Sequence, residues 1–531
     1  MVENQGEKMK EKFYITSPIY YPSSKLTIGN CYTTIICDTI ARFKKLQGKD
    51  VFYMTGTDEH GQKVFDAAKK AGKEVKQHLD DIIADTQQLW KMLDIDYDKF
   101  IRTTDEDHVC AVKKIFNALY EKGYIYKSTY KGLYCLPCEA FWTQSQLVDG
   151  KCPDCGRPVS EQEEEAYFFK LSQFSDKLLK LYTENPKFLL PTSRVNEMVN
   201  NFIKPGLEDL CVSRTSVKWG IPVEFDKKHT IYVWIDALSN YLTGLGYLSE
   251  NDENFKKYWP ADLHLIGKDI VRFHAIIWPA ILMALDLPLP KQIFGHGWLL
   301  LGGDKLSKSK KTETIECTDP RILVPRYGSD AVRYYLLREI PFGSDGNYST
   351  EAFLNRFNSD LCNNFGNLVS RTFSMLKKYF NLEIPAVTAY GENEKQLQSK
   401  VLSERENVQR YMDVYDVSKA ITSIFNIFSE ANTYIQLAQP WAVAKEENGQ
   451  ERLKAIMRSL LETIRIGCEM LAPFMPNSAK KVLDALGEKG KEFSNFDKFE
   501  GLKEGQKIAE LSILFPRLDI VKELEELSKL V

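Results

Sequence analysis

A chain of 531 residues is too long for one hydrophobic core, and at about 150 residues per domain it predicts roughly three to four domains. Hydrophobic residues make up 44% of the sequence and charged residues 27%, which is typical of a soluble globular protein and excludes intrinsic disorder or a membrane span. The formal net charge of −3 excludes binding of nucleic acid through overall charge, so any RNA binding requires local patches.

The N-terminal segment MVENQGEKMKEK is charged and lacks the apolar core and small-residue cleavage site of a secretory signal. We therefore expect a cytoplasmic protein without a membrane partner. Seven of the eleven cysteines are scattered, mostly through apolar or helical stretches, and are expected to be reduced.

The first α/β pattern begins at Phe13. The run FYITSPIYY predicts a strand, IGNCYTTIICDTIARFKKLQG has helical spacing and ends at Gly48, and VFYMTGTDEHG predicts the next strand. Residues 115–228 interrupt this pattern with frequent Gly and Pro, clustered cysteines and an acidic run, and the pattern resumes at 230. One parallel-sheet nucleotide-binding domain, split by an insertion, is the economical interpretation.

The C-terminal part, from about 351, shows no convincing strands. A stripe at about 100° per residue predicts a helix that buries Leu361, Phe365, Leu368, Thr372 and Leu376. A second such run extends from Val417 to Leu437, so a helical bundle is expected, and the last segment, IVKELEELSKLV, predicts a short amphipathic helix or a frayed tail.

Four cysteines are clustered in the insertion, as Cys135-Leu-Pro-Cys138 and Cys152-Pro-Asp-Cys155. Four thiolates at this spacing can close a tetrahedral shell around Zn²⁺ at about 2.3 Å. Two disulfides or four chance core cysteines are the alternatives. Since four Cys ligands leave no position for water, the predicted zinc is structural.

Two further stretches could contact phosphate. Thr27-Ile-Gly29-Asn30 lies at a strand-to-helix turn, where backbone N–H groups and the positive end of a helix can face an anion. The run GGDKLSKSKK at 302–311 contains lysines that could bind a polyphosphate, although a solvated basic loop is the alternative.

Together these stretches resemble the nucleotide-binding signatures of class I aminoacyl-tRNA synthetases. Six blocks resemble the methionyl-tRNA synthetase family in its own order: FYITSPIYYPSSKLTIGNCYTT, FYMTGTDEHGQK, YVWIDALSNYL, LIGKDIVRFHAIIWPA, GHGWLLLGGDKLSKSK and RYYLLREIPFGSDGNYS. The resemblance runs from about residue 12 to the high 470s, and the cysteines fall where the bacterial form of the family carries its zinc knuckle.

The resemblance implies that L-methionine is activated with ATP to methionyl adenylate and pyrophosphate, and that the methionyl group is then transferred to the 3′-terminal ribose of tRNA(Met), including initiator tRNA. It implies Mg²⁺ with ATP, one structural Zn²⁺ per chain, and no DNA partner. The catalytic and pyrophosphate-stabilising positions that it implies are Thr27, Asn30, Lys305 and Lys308. Thr27 and Asn30 replace the two signature histidines of the family, and Leu306 replaces its usual Met.

The substrate sites follow from the resemblance in the same way. It implies ATP binding by Lys305 and Lys308 together with Gly29, Gly267, Asp269 and His296. It implies methionine binding by Ile19, Tyr21, Asp58, Trp234, Ala237, Tyr241, His274, Ile277 and Trp278, with Asp58 at the substrate ammonium group. Aromatic and apolar residues suit an unbranched thioether. His60 and His296 are interpreted as hydrogen-bonded histidines rather than ligands of a second metal.

Anticodon recognition is implied for Asn367, Arg371 and Trp441. Asn367 and Arg371 are four residues apart and about 100° from the apolar stripe, so they share a solvent-facing edge. An amide, a guanidinium fork and a stacking plane are suited to unpaired RNA bases.

The predicted fold class is α/β plus all-α. It comprises a Rossmann-like catalytic domain in two halves (1–114 and 229–312), a connective insertion with the zinc knuckle (115–228), a linking region (313–358), a helical-bundle anticodon-binding domain (359–515) and an amphipathic tail (516–531).

Two alternatives remain. The chain could be another class I synthetase, although the insertion is too short for the isoleucyl or valyl editing domain and a cysteinyl enzyme uses zinc in its substrate pocket. It could also be a catalytically silent tRNA-binding paralogue, for which Thr27 and Asn30 are the only arguments.

Overall fold

The computed structural model describes residues 10–137, 140–142, 144, 147–153, 155–215, 217, 219–301, 304–305, 316–488 and 498–530. Cys138 and Lys308 lie outside the described residues, and Lys305 is described only in its backbone. The strands are β1 (Lys12–Tyr20), β2 (Asp50–Thr57), β3 (Lys99–Arg102), β4 (Ile125–Cys135), β5 (Ala140–Trp142), β6 (Ser160–Phe169), β7 (Leu189–Leu190), β8 (Leu210–Cys211), β9 (Ser213–Arg214), β10 (Pro222–Val223), β11 (Asp226–Ile231), β12 (Leu263–Gly267), β13 (Ile293–His296), β14 (Leu299–Leu301), β15 (Asp304–Lys305) and β16 (Gly346–Tyr348).

The helices alternate with these strands in the first part of the chain and follow one another in the last part. They are α1 (Ile28–Leu46), α2 (Gln62–Lys70), α3 (Val75–Met92), α4 (Glu106–Glu121), α5 (Ser175–Glu184), α6 (Thr192–Met198), α7 (Val233–Thr243), α8 (Glu253–Tyr258), α9 (Trp278–Ala284), α10 (Pro320–Tyr327), α11 (Ser329–Glu339), α12 (Thr350–Arg356), α13 (Asn367–Phe380), α14 (Glu392–Asp413), α15 (Val417–Ala438), α16 (Pro440–Val443), α17 (Gln450–Leu471), α18 (Pro476–Ala485) and α19 (Ile520–Ser528). Short 3₁₀ turns cover Leu171–Phe174 and Lys268–Ile270, and π-helical segments cover Val199–Ile203, Phe273–Ile277 and Phe357–Gly366.

The predicted parallel sheet is confirmed. It has the order β3-β2-β1-β12-β13-β7, and every pair in it is parallel. Strands of such a sheet are buried on both faces, which explains the continuous burial of residues 13–17 in β1 and 263–266 in β12. The strand order reverses between β1 and β12, and ligands of open α/β sheets bind outside the carboxyl ends of the strands at such a point.

The insertion contains a four-stranded antiparallel sheet, β5-β4-β6-β8, and a smaller one, β10-β11-β9. It also provides β7, which extends the parallel sheet by pairing with β13. This contribution was not predicted, because a two-residue strand has no detectable periodicity. The predicted boundary between the first catalytic half and the insertion, at residues 114 and 115, falls within α4. The domain boundaries as a whole stay a prediction.

The C-terminal part is a helical bundle, and no strand follows β16 in the described ranges. All five residues of the predicted stripe are buried, on a helix that continues from α12 through Phe357–Gly366 into α13. The last segment forms α19, whose Glu523 and Glu526 pair with Arg326 of α10. Among the described helices, none is both long and apolar enough to cross a membrane.

The sheet and the bundle share one apolar core. Ile15 of β1, Ile35 of α1 and Phe428 of α15 belong to the same buried cluster. Within it the fully buried Arg333 lies 2.7 Å from Asp38 of α1 and donates to the backbone oxygen of Phe474 at 2.9 Å. A buried charge needs partners of this kind, so the catalytic sheet and the bundle are joined by both apolar and polar contacts.

Candidate active site

The turn before α1 lies at the carboxyl end of β1. Thr27 is the N-cap of α1 and has an extended backbone, with φ −99° and ψ 170°. Oδ1 of Asn30 accepts from the backbone N–H of Thr27 at 3.0 Å and from its hydroxyl at 3.2 Å. The two residues that replace the signature histidines are therefore hydrogen-bonded to each other. A Cβ added to Gly29 would come no closer than 3.6 Å to a neighbouring atom, Oγ1 of Thr27, so the protein itself does not require glycine there.

Tyr241 and His274 form a buried hydrogen-bonded pair between α7 and the π-helical segment Phe273–Ile277. Nδ1 of His274 lies 2.9 Å from the backbone oxygen of Ile270 and therefore carries the proton, so Nε2 accepts from the Tyr241 hydroxyl at 2.7 Å. Burial lowers the pKa of His274 to about 4, so the ring is neutral at neutral pH.

A second pair joins the same two elements, with one member seven residues before Tyr241 and the other directly before His274. The rings of Trp234 and Phe273 stack face to face, with centroids 3.4 Å apart and an interplanar angle of 8°. Trp234 is half-buried, whereas Tyr241 is 1% exposed. Trp234 and Tyr241 are two turns apart on α7, and both contact the segment Phe273–Ile277. Phe273 was not predicted, because one Phe in an apolar helix is not distinctive.

Trp278 lies behind Tyr241. Trp278 is fully buried, and its Nε1 donates to Nε2 of His264 at 3.4 Å. The His264 ring lies 4.2 Å from the Tyr241 ring, and its Nδ1 is 2.7 Å from Oγ1 of Thr16. His264 thus connects two aromatic residues to β1.

The other predicted methionine-binding residues differ in their surroundings. Ala237 and Ile277 are buried, with 7% and 4% exposed, and Ile19 is half-buried against the same apolar cluster. Tyr21 instead packs beside Val64 of α2. Asp58 follows β2, and its backbone N–H donates to the oxygen of Tyr20 at 3.0 Å, which places it next to the end of β1.

A buried carboxylate lies beneath this pocket. Oδ2 of Asp236, in α7, is 2.7 Å from Nδ1 of His60, and its Oδ1 is 2.8 Å from Nε2 of His108. Burial opposes ionisation of Asp236, but the two histidines outweigh it and lower the pKa of this carboxyl to about 2. Burial also opposes protonation of His60, but Asp236 outweighs it and raises the pKa of the ring. The only sign of this buried carboxylate in the sequence is that Asp236 is a charged residue inside the apolar run YVWIDALSNYL.

The insertion packs against the segment that contains His60. Trp219 donates from Nε1 to the backbone oxygen of Glu59 at 2.7 Å, and its own backbone oxygen accepts from Gly61 at 2.9 Å. A cavity of about 20 Å³ lies there between His60, Asp236 and the buried Arg214. Neither Arg214 nor Trp219 was predicted as a site residue, because their position next to β2 depends on the fold of the insertion.

Three of the predicted ATP residues, Gly267, Asp269 and His296, lie at the ends of β12 and β13. A Cβ on Gly267 would come within 2.5 Å of Oδ1 of Asp269, so glycine allows the observed position of that side chain. Both ring nitrogens of His296 have partners: Nε2 lies 2.8 Å from Oγ1 of Thr33 and Nδ1 lies 2.7 Å from the oxygen of Gly297. Burial lowers the pKa of His296. His296 is therefore a hydrogen-bonded neutral histidine, as interpreted from the sequence. The backbone of Lys305, the first residue of the run KLSKS at 305–309, pairs with Leu300.

Three of the four clustered cysteines can be tested against a metal site. The Sγ atoms of Cys135, Cys152 and Cys155 all lie within 4.8 Å of one another, and those of Cys135 and Cys155 are 3.5 Å apart. Tetrahedral sulfurs with Zn–S bonds of about 2.3 Å are about 3.8 Å apart. The three thiols therefore fit a metal ion, and Trp142 packs beside them.

The predicted anticodon residues lie at one end of the bundle. Asn367 is exposed in the first turn of α13, and Arg371 follows one turn later. The Arg371 guanidinium is 5.8 Å from the ring of Trp441, which is 38% exposed. An open pocket of about 360 Å³ is lined by both and by Ser370, Ser374, Met375, Lys378 and Tyr379. The structure brings Arg371 and Trp441 together, and Asn367 lies beside this pocket rather than in its lining.

Comparison with known proteins identifies the family. The family model described as tRNA synthetases class I (M) matches residues 13–163 and 157–373, and the model described as anticodon binding domain of methionyl tRNA ligase matches residues 384–526. The chain belongs to the methionyl-tRNA synthetase family. Its similarity to the methionine–tRNA ligase of Clostridium acetobutylicum is 53% identity over 98% of this chain and 80% of that protein. For the ligase of Caldanaerobacter subterraneus subsp. tengcongensis it is 55%, over 98% and 81%.

Solved structures of the family show the same fold. The methionyl-tRNA synthetase of Mycobacterium tuberculosis in complex with methionyl-adenylate superposes with a TM-score of 0.90 at 40% identity, over 96% of this chain and all of that chain. The apo form of the same enzyme gives 0.84 at 38% identity, over 97% of this chain and 99% of that chain. The predicted Rossmann-like domain, insertion and helical anticodon domain are thereby confirmed as the fold class of a methionyl-tRNA synthetase.

Proposed function

We propose that this chain is a methionine–tRNA ligase. It activates L-methionine with ATP to methionyl adenylate and pyrophosphate, and it transfers the methionyl group to the 3′-terminal ribose of tRNA(Met), including initiator tRNA. The observation that carries this conclusion is the 53% identity, over 98% of the chain, to a relative named methionine–tRNA ligase. The cytoplasmic location remains a prediction.

Methionine is proposed to bind between α7 and the π-helical segment Phe273–Ile277. Neutral His274 fixes the Tyr241 ring by accepting a hydrogen bond from its hydroxyl. Ile19 is half-buried and Ala237 is small, and apolar residues of this kind suit a thioether. Asp58, at the carboxyl end of β2, is proposed to accept from the substrate ammonium group.

ATP is proposed to lie where the strand order reverses between β1 and β12, with its phosphates at the N-terminus of α1. Helix N–H groups and the helix dipole favour anions there, and Gly29 leaves its own side open for close approach. Asn30 turns its amide oxygen towards Thr27, so its amide nitrogen is the group that can donate to a phosphate oxygen. Gly267, Asp269 and the backbone around His296 are proposed to surround the adenosine.

The developing charge on pyrophosphate is proposed to be neutralised by Lys305 and Lys308, both of which belong to the KLSKS run. Mg²⁺ arrives with ATP and adds positive charge on the phosphates when bound. In such a reaction the protein positions the two substrates and stabilises charge that forms in the transition state.

The metal is proposed to be one Zn²⁺ per chain, bound by Cys135, Cys138, Cys152 and Cys155. Three thiol sulfurs at the right separation support this proposal. With four thiolate ligands the ion has no open position, so its role is to stabilise the fold of the insertion.

The anticodon is proposed to be read by Asn367, Arg371 and Trp441. An exposed Trp beside a guanidinium, over an open pocket, supports stacking and hydrogen bonding to unpaired bases.

Methionine-dependent ATP–pyrophosphate exchange, run against a panel of amino acids, tests the proposed function. We expect exchange with methionine and charging of tRNA(Met). Exchange with a different amino acid only would assign another class I synthetase, and tRNA binding without any exchange would assign a silent paralogue.

A further inference from the structure

A guanidinium group contacts the turn in front of α1. Nη1 of Arg321, in α10, donates to the backbone oxygen of Leu26 at 3.3 Å, and Leu26 directly precedes Thr27. The side chain of Leu26 is buried, with 3% exposed. The oxygen that Arg321 contacts thus belongs to the turn from which the first N–H groups of α1 project.

Two carboxylates fix the position of Arg321. Its Nε donates to Oδ1 of Asp85 at 3.2 Å, its Nη2 donates to Oδ2 of the same residue, and its Nη1 is 3.3 Å from Oδ1 of Asp319. Asp85 lies in α3, and Asp319 is the N-cap of α10. A planar guanidinium can serve these acceptors together, whereas an ammonium group is a single point charge. The turn, α3 and α10 therefore meet at one side chain.

Lys25 shares the carboxylate of Asp85. Its Nζ lies 3.5 Å from Oδ1 of Asp85, but 70% of the Lys25 side chain is exposed. An exposed pair of this kind contributes little to stability. The fixed part of the cluster is the pair of Arg321 and Asp85, whose side chains are 18% and 22% exposed.

We infer that Arg321 is a positioning residue for adenylate formation. It fixes the turn so that Thr27, Asn30 and the first N–H groups of α1 face the phosphates of ATP. The inference rests on the proposed placement of ATP at this turn. A misplacement of about 1 Å far from the reacting atoms can cost about 100-fold in rate. Most of the proposed methionine-binding residues lie on α7 and at Phe273–Trp278, outside this cluster, so methionine affinity should change little.

The test compares Arg321→Ala with Arg326→Ala in the zinc-loaded full-length enzyme. Arg326 lies in the same helix and pairs with Glu523 and Glu526 of α19, so it is a matched control. We expect Arg321→Ala to lower kcat/KM for ATP in pyrophosphate exchange by about 10- to 100-fold. The Kd for methionine, measured by tryptophan fluorescence, should stay within about twofold, and Arg326→Ala should match the unchanged enzyme. Arg321→Lys should recover only part of the loss, because an ammonium group is a single point charge and lacks the planar fork that reaches these acceptors together.

Asp85→Asn is the second variant, for use if Arg321→Ala does not fold, because it weakens the same contact while keeping the side-chain shape. It should also lower kcat/KM for ATP without affecting methionine binding. A native kcat/KM for ATP in Arg321→Ala, or in Asp85→Asn where the first does not fold, would overturn the inference. So would an equal loss of methionine affinity. If Thr27→Ala is impaired while the Arg321 variant is native, only the positioning role fails. If both are native, the proposed ATP site at the turn fails instead.

Discussion

Asn30 accepts two hydrogen bonds from Thr27 through one atom, Oδ1, at 3.0 Å from the backbone nitrogen and 3.2 Å from the hydroxyl oxygen. The first turn of α1 is therefore closed by a Thr–Asn pair in place of two histidines. An imidazole can carry a positive charge, whereas the Thr–Asn pair is neutral and held in place by its hydrogen bonds. The backbone N–H groups of α1 are therefore the main donors to an anion.

Removal of the Thr27 hydroxyl is expected to slow adenylate formation. Thr27→Ala loses the hydroxyl that holds Asn30 Oδ1 in place, and misplacement of a group near the reacting atoms can cost about 100-fold in rate. Pyrophosphate exchange should fall while the Kd for methionine is unchanged. Thr433→Ala, which alters an exposed Thr of α15, is the control. Exchange at the native rate in Thr27→Ala would make Thr27 a bystander.

The Tyr241 hydroxyl is expected to matter for methionine rather than ATP. Tyr241→Phe leaves Nε2 of His274 buried without its donor, which costs about 1–3 kcal/mol. The KM for methionine should rise and the free energy of unfolding should fall, with the KM for ATP unchanged. Steady-state exchange and urea denaturation measure both effects. Tyr120→Phe, at a 43% exposed side chain, serves as control. A raised KM for ATP instead would show that this pair does not belong to the methionine pocket.

The contact between His60 and Asp236 is expected to make stability depend on pH. The pKa of His60 is raised in the folded state, so its contribution is fully present below the ordinary histidine pKa and is lost as pH rises through the folded value. His60→Gln should therefore lower the free energy of unfolding more at about pH 5.5 than at about pH 9. Urea denaturation at both values measures this difference. In an Asp236→Asn background the difference should disappear, and its persistence there would assign the effect to another group.

Trp441 is expected to contribute to tRNA affinity without affecting activation. Stacking of one base on an aromatic ring is worth about 1–3 kcal/mol, so Trp441→Ala should lower kcat/KM for tRNA(Met) by about 5- to 150-fold. Methionine-dependent pyrophosphate exchange should be unchanged. Val414→Ala, at a 58% exposed position just before α15, is the control. If charging is native, the bases are read elsewhere on the bundle.

The clustered thiols are expected to bind one zinc ion per chain. Cys152→Ser should reduce the zinc content measured by atomic absorption and lower the Tm, because structural zinc contributes directly to folding free energy. Cys110→Ser changes an exposed cysteine of α4 and should affect neither quantity. Full zinc content in Cys152→Ser would exclude this thiol as a ligand.

The parallel sheet and the bundle could be predicted because their apolar residues repeat with the period of a strand or a helix over many residues. The stripe from Leu361 to Leu376 is an example, since every member is buried. The contacts of Asp236 with His60 and His108 could not be predicted in this way, because the three residues lie on separate elements. The two-residue strand β7 was missed since it is too short to show periodicity, and the bulk of the Arg321 contacts depend on how α3 and α10 pack.

The common core of sheet and bundle has a consequence for the choice of tRNA. Arg333 and the apolar residues around it connect α1 to the loop at Phe474, so the separation between Trp441 and the first turn of α1 is a constant of the folded molecule. On the proposed placement of the anticodon and of ATP, a tRNA would have to span a separation set by this packed core. The length of the tRNA would then contribute to its recognition in addition to the base contacts.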